Sequence, residues 1–95
     1  MKCGKYDVFF RNLSNPVRIK IINCLKEGNC FVSELCDKTG IEQSKISHAL
    51  ACLRNCRIVN AERQGKKIIY SINKETVLPI LKILDKHRCK YCNIK

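Results

Sequence analysis

The apolar positions of this 95-residue chain keep a helical period through most of its length and break it once, near the middle of the second half. In "YDVFFRNL", residues 6–13, Phe9, Phe10 and Leu13 stand at helical spacing and predict a short first helix. The next segment, "SNPVRIKIINCLKEGN", puts Asn15 at the cap, Pro16 at the first helical position and Gly28 just past the end, the start and stop signals of a second helix. A third, short helix is predicted over "VSELCDKTG", closed by Gly40. In "EQSKISHALACLRNC" Ile46, Ala49, Leu50 and Leu53 recur at i, i+3, i+4 and i+7, the stripe of an amphipathic fourth helix.

The period then changes. "RIVNAERQ" and "KKIIYSIN" are rich in Ile, Val and Tyr and flank Gly65-Lys66, which predicts a β-hairpin. A last helix follows in "TVLPILKILDKHRCKYC", with Val77, Ile80, Leu81 and Leu84 on one face and Ile83 beside it. Pro79 fits that helix only if it begins near Thr76, since deeper inside it would remove a hydrogen bond and kink the axis. No long linker, low-complexity run or internal repeat interrupts the chain, so residues 1–95 are expected to form one domain.

Two helices joined by a tight turn and followed by a hairpin make a winged helix-turn-helix, mainly α with a small β-hairpin wing. The second helix of such a pair is shaped for the major groove of DNA. The apolar last helix carries more on Leu81, Ile83 and Leu84 than one small core covers, which points to a dimer.

Charge sharpens this picture. The formal net charge is +11, from 19 Lys+Arg against 8 Asp+Glu, and the basic residues recur along the whole chain. Such a surface suits a polyanion, nucleic acid foremost, although an anionic membrane would also attract it. The longest apolar region, "VLPILKIL", is short and broken by Pro79 and Lys82, so no membrane span is expected. "MKCGKYDVFFRN" lacks a secretory signal, and the expected location is the cytoplasm. Opposite the apolar stripe of the fourth helix stand Gln43, Ser44, Lys45, Ser47 and His48, with amide and amine groups for base edges and hydroxyls and amines for phosphates. Arg63, Lys66 and Lys67 equip the wing for the same polyanion. No glycine-rich phosphate loop, metalloprotease helix or nucleophile elbow appears, so neither catalysis nor a small organic substrate is expected.

The eight cysteines raise the remaining question. Cys52 and Cys56 sit four positions apart at one edge of the apolar stripe, a spacing that suits two ligands of one ion better than a disulfide. Burial as small apolar residues is equally open at this point. Cys89 and Cys92 form a C-x-x-C at the end of the last helix, and Cys24 lies on the buried side of the second.

Taken together, "FFRNLSNPVRIKIINCLKEG", "ELCDKTGIEQSKISHALACLRNCRIV" and "ERQGKKIIYSI" resemble the ArsR/SmtB metal-responsive repressors over nearly the whole chain. The resemblance implies a homodimer, paired through its first and last helices, that binds double-stranded operator DNA and leaves it when an effector binds. Within that family "ACLRNCRIV" looks like the CmtR-like cadmium- and lead-sensing branch. That likeness implies Cys52 and Cys56 as ligands, with Cys89 or Cys92 of the other subunit as the third. The arsenic and antimony type has two cysteines in its third helix, so Cys36, with Cys30 and Cys3, is a candidate second thiolate site. The zinc and nickel type needs paired carboxylates and histidines along the last helix. Asp85 and His87 supply only half of that set, so this type is expected to be absent. Three sulfur ligands select soft ions such as Cd(II), Pb(II), As(III) or Cu(I), and zinc with a fourth ligand. Two rival readings keep the fold and change the effector: a thiol-based redox or sulfide sensor, and a constitutive DNA binder with none.

Overall fold

The computed structural model describes residues 6–92. Among them the order is α1 (Tyr6–Leu13), α2 (Pro16–Glu27), β1 (Cys30–Phe31), α3 (Val32–Thr39), α4 (Gln43–Asn55), β2 (Val59–Gln64), β3 (Lys67–Ile72) and α5 (Val77–His87), ending in a π-helical turn, Arg88–Cys92. The fold is mainly helical with a small antiparallel wing, as the change of period predicts.

Local chemistry sets the helix ends. The Asn15 side-chain oxygen accepts the N–H of Val17 at 2.9 Å and of Arg18 at 3.3 Å, so it satisfies two of the orphan donors of α2. Gly40 takes a left-handed φ of 73° and donates its N–H to the Cys36 carbonyl at 2.9 Å, which stops α3. The predicted stripe of α4 is the stripe that packs: Ile46, Ala49, Leu50 and Leu53 are all buried, against Ile21 and Leu25 of α2 and Leu35 of α3. Each of the isoleucine and leucine side chains contributes about 1.5–3 kcal/mol on leaving water.

The structure departs from the predicted elements in two places. Cys30 and Phe31 form β1, which pairs with Tyr70 and Ile69, so β3 is the central strand of a three-stranded sheet ordered β1-β3-β2. Two residues are too few to show any period. The second departure is the end of α4. The helix stops at Asn55 with Cys56 as its C-cap, and Arg57 turns the chain in a left-handed conformation, φ 62°. The Arg57 N–H then donates to the Arg54 carbonyl at 3.0 Å and the Ile58 N–H to the Leu53 carbonyl at 2.9 Å, a Schellman closure that drives Ile58 into the core. The strand therefore begins at Val59, two residues later than the apolar run suggests.

Asn73 joins the wing to α5. Its amide donates to the Arg57 carbonyl at 2.8 Å, while its side-chain oxygen accepts the N–H of Glu75 at 3.0 Å and of Thr76 at 3.2 Å. With Thr76 as the capping position, Pro79 falls within the first turn of α5, where its missing N–H is harmless. Only Val77 of α5 is buried. Ile83 is 68% exposed and Leu84 44%, and on α1 Tyr6 and Phe10 are also exposed. A Lys26–Asp85 ion pair at 2.8 Å ties α5 to α2. Among the described residues no helix is long and apolar enough to cross a membrane.

Candidate nucleic-acid interface and thiol sites

Burial of one face of α4 leaves the other to solvent. Gln43, Ser44, Lys45, Ser47 and His48 are all exposed along the first two turns, on the surface the α3–α4 pair presents. The Glu42 side chain, at the capping position, accepts no backbone N–H from the helix; its carboxylate takes the Ser44 hydroxyl at 2.9 Å instead. In the wing Arg63, Lys66 and Lys67 are exposed. Arg63 Nε donates to the Gly65 carbonyl at 3.1 Å and so braces the turn, where Gly65 has a φ of 63°. Lys67 reaches back over the Phe31 ring, 5.3 Å from its centroid, a cation–π contact that holds it against the base of the wing.

A groove runs between the start of α2 and this face of α4, lined by Asn15, Val17 and Arg18 on one side and Ser44, Lys45 and His48 on the other. The sequence reading missed Arg18 here. Arg18 is half-buried and donates through Nη1 to the Asn12 side-chain oxygen, and Asn12 Nδ2 donates in turn to the Cys56 sulfur at 2.8 Å. Asn12 was missed too, because a polar residue in a short amphipathic helix carries no sequence signal of a partner 44 positions away.

No disulfide joins the described cysteines. Cys56 is 8% exposed and packs in the core, while Cys52, one turn earlier, is half-buried. Cys89 is exposed at the start of the π-helical turn. Cys92 belongs to that turn, but its side chain lies outside the described residues, as does Cys3 entirely. Cys30 is fully buried, with its sulfur 3.5 Å from the Gly28 carbonyl and 3.6 Å from Lys38 Nζ. Cys36 is half-buried against the core. Cys24, read from sequence as a core residue, is half-buried against it, and burial first and then the neighbouring Cys30 push its thiol upward in pKa, with Lys38 opposing. Among the described residues no three His, Cys, Asp or Glu side chains gather to hold a metal ion. On α5, hydrogen bonding and charge from Lys26, with Arg88 nearby, hold the Asp85 carboxyl below its usual pKa.

A helix-turn-helix with its second helix exposed and polar, beside a basic hairpin, defines a winged helix-turn-helix protein. The chain belongs to the arsR family of bacterial regulatory proteins, whose pattern matches residues 15–61, so it is classed with regulators and not with enzymes. It is 36% identical over 73 residues to a probable mercury resistance operon repressor of Streptomyces lividans, an alignment covering 77% of this chain and 58% of that protein. It is 37% identical over 79 residues to the uncharacterized regulator Rv0081 of Mycobacterium tuberculosis, covering 82% of this chain and 69% of the other. The crystal structure of Rv0081 superimposes with a TM-score of 0.80 over 90% of this chain and 86% of that one. The regulator CmtR of Mycobacterium bovis is 34% identical over 62 residues, 65% of this chain and 52% of CmtR. The alignments thus span little more than half of the mercury repressor and of CmtR. Membership is at the level of the family, since the likeness to CmtR does not exceed that to the mercury repressor.

Proposed function

We propose that the protein is a homodimeric transcriptional repressor that binds double-stranded operator DNA through α4 and the wing, and is released by a soft thiophilic metal ion. The observation that carries the DNA reading is the division of α4: its apolar stripe is buried while Gln43, Ser44, Lys45, Ser47 and His48 are exposed beside Arg63, Lys66 and Lys67. The amide and amines suit base edges, and the cations and hydroxyls suit phosphates. Dimerisation follows from the uncovered apolar residues of α1 and α5, which a second copy would bury.

Cys52 and Cys56 support the metal reading, and with it the CmtR-like branch. They are two thiols one turn apart on the DNA-reading helix, and Cys52 is accessible from the surface. A single chain gathers no third donor among its described residues, so the site would be completed by Cys89 or Cys92 of the partner subunit. Thiolates favour Cd(II), Pb(II) or As(III) over hard ions. The ion would favour a geometry with the cysteines drawn toward the partner's C-terminal turn, and affinity for DNA falls by the free energy of that preference. Cys30 and Cys36, with Cys3, form the weaker second candidate, because ligation by Cys30 requires a fully buried sulfur to move.

The deciding experiment measures operator binding by the whole protein with Cd(II), Pb(II), As(III), Zn(II) and an oxidant in turn. Release by a soft metal, accompanied by thiolate-to-metal charge-transfer absorbance, is expected. Release by oxidant alone would make the protein a thiol redox sensor, and no response to any addition would make it a constitutive binder.

A further inference from the structure

The Asn12 side chain is bonded at both ends of its amide. Arg18 can only donate, so the amide oxygen must face the guanidinium. This orientation turns Nδ2 toward Cys56, whose sulfur serves as acceptor at 2.8 Å. Both contacts are part-buried, where a hydrogen bond lost is not readily replaced by water. One end of the chain is thus a cysteine on the exit of α4. The other is a cation lining the groove with Ser44, Lys45 and His48.

Exposure decides what happens when the two thiols share a ligand. Cys52 is half-buried and Cys56 only 8% exposed, so an ion held by both requires the Cys56 sulfur to turn outward, in competition with its bond to the Asn12 amide. We infer that Asn12 is a positioning residue that holds Arg18 against a DNA backbone phosphate while Cys56 faces inward, and lets it go when a ligand withdraws that sulfur. The inference rests on the reading of α4 as the DNA-facing helix and adds Arg18 to that surface, with Asn12 acting through it.

The test is the salt dependence of duplex binding, which counts phosphate contacts directly. Losing one contact lowers the slope of log affinity against log salt by about 0.9 for each subunit. Arg18→Ala and Asn12→Ala should each show that drop, and the double variant no further one. Cys56→Ala, which leaves the amide without its acceptor, should show it as well, whereas Cys56→Ser should restore the wild-type slope because a hydroxyl accepts the same N–H. Cd(II) should lower the wild-type slope to that of Asn12→Ala. Circular dichroism and sedimentation keep folding and assembly separate from these readings. A wild-type slope in Asn12→Ala, Arg18→Ala or Cys56→Ala would overturn the inference, as would an unchanged wild-type slope once charge-transfer absorbance shows Cd(II) bound. Absence of any duplex binding by the wild type would instead reject the DNA reading on which it stands. If Cd(II) does not bind, the metal reading fails, and Cys56→Ala against Cys56→Ser still decides the relay.

Discussion

Arg57 carries a Cβ in a conformation that costs an L-residue about 1–2 kcal/mol, and the Schellman closure of α4 holds it there. Replacing it by glycine removes the steric penalty and keeps the backbone bonds to Arg54 and Asn73, at some cost in chain entropy. Arg57→Gly is therefore expected to raise stability by about 0.5–1 kcal/mol in urea unfolding. The cysteines make the opposite kind of demand, for function without stability. Cys52→Ser and Cys56→Ser should each keep operator binding while losing charge-transfer absorbance and metal-driven release, since serine preserves shape and ligates soft ions poorly. If both variants lose stability and still respond to Cd(II), these thiols are packing residues. At this scale the sequence was legible where a period repeats: five exposed positions of α4 were read from the stripe they oppose. Arg57, Asn12 and Arg18 were not, because a left-handed exit and a bond across 44 positions leave no periodic mark.

Elements obey the same division. The five helices and the hairpin announce themselves through caps and periodicity, while β1 exists only because β3 offers an edge to Cys30 and Phe31. Asn73 holds the junction of wing, α4 exit and α5, so Asn73→Ala should lower stability by about 1–2 kcal/mol, with Asn73→Asp recovering the part due to its side-chain oxygen. The link between α2 and α5 is weaker. Lys26 and Asp85 are partly solvated, which limits their pair to under about 1 kcal/mol. Because the Asp85 carboxyl is depressed in the folded state, its contribution is present above the unfolded value of about 4 and lost as pH falls through the lower folded value. Lys26→Met should flatten that acid loss in pH-dependent unfolding. Neither bond covers the outer face of α5, and Ile83→Lys is expected to give a monomer by sedimentation, at little cost to the folded chain since Ile83 is 68% exposed.

Charge acts at the scale of the whole molecule. A net +11 on each chain, doubled in a dimer, attracts any duplex before one base is read, so much of the affinity should come from counterions released by phosphates. With about six to ten phosphate contacts across a dimer, affinity should fall roughly 10³–10⁵-fold between 50 and 200 mM salt. Flat salt dependence would remove the polyanion reading altogether. Sequence preference has a different origin and separates from affinity by mutation. Lys45→Ala removes a cation and should weaken binding to all duplexes alike, lowering the salt slope by about 1 per site. Gln43→Ala removes an amide able to pair with a base edge and should relax preference at particular positions while leaving the slope unchanged. The two effects are independent because both residues are exposed on a helix whose opposite face is locked into the core, so neither substitution disturbs packing. Anisotropy titrations against a randomised duplex pool at two salt concentrations read both at once. If both variants keep wild-type slope and preference, the face of α4 that carries them does not meet DNA.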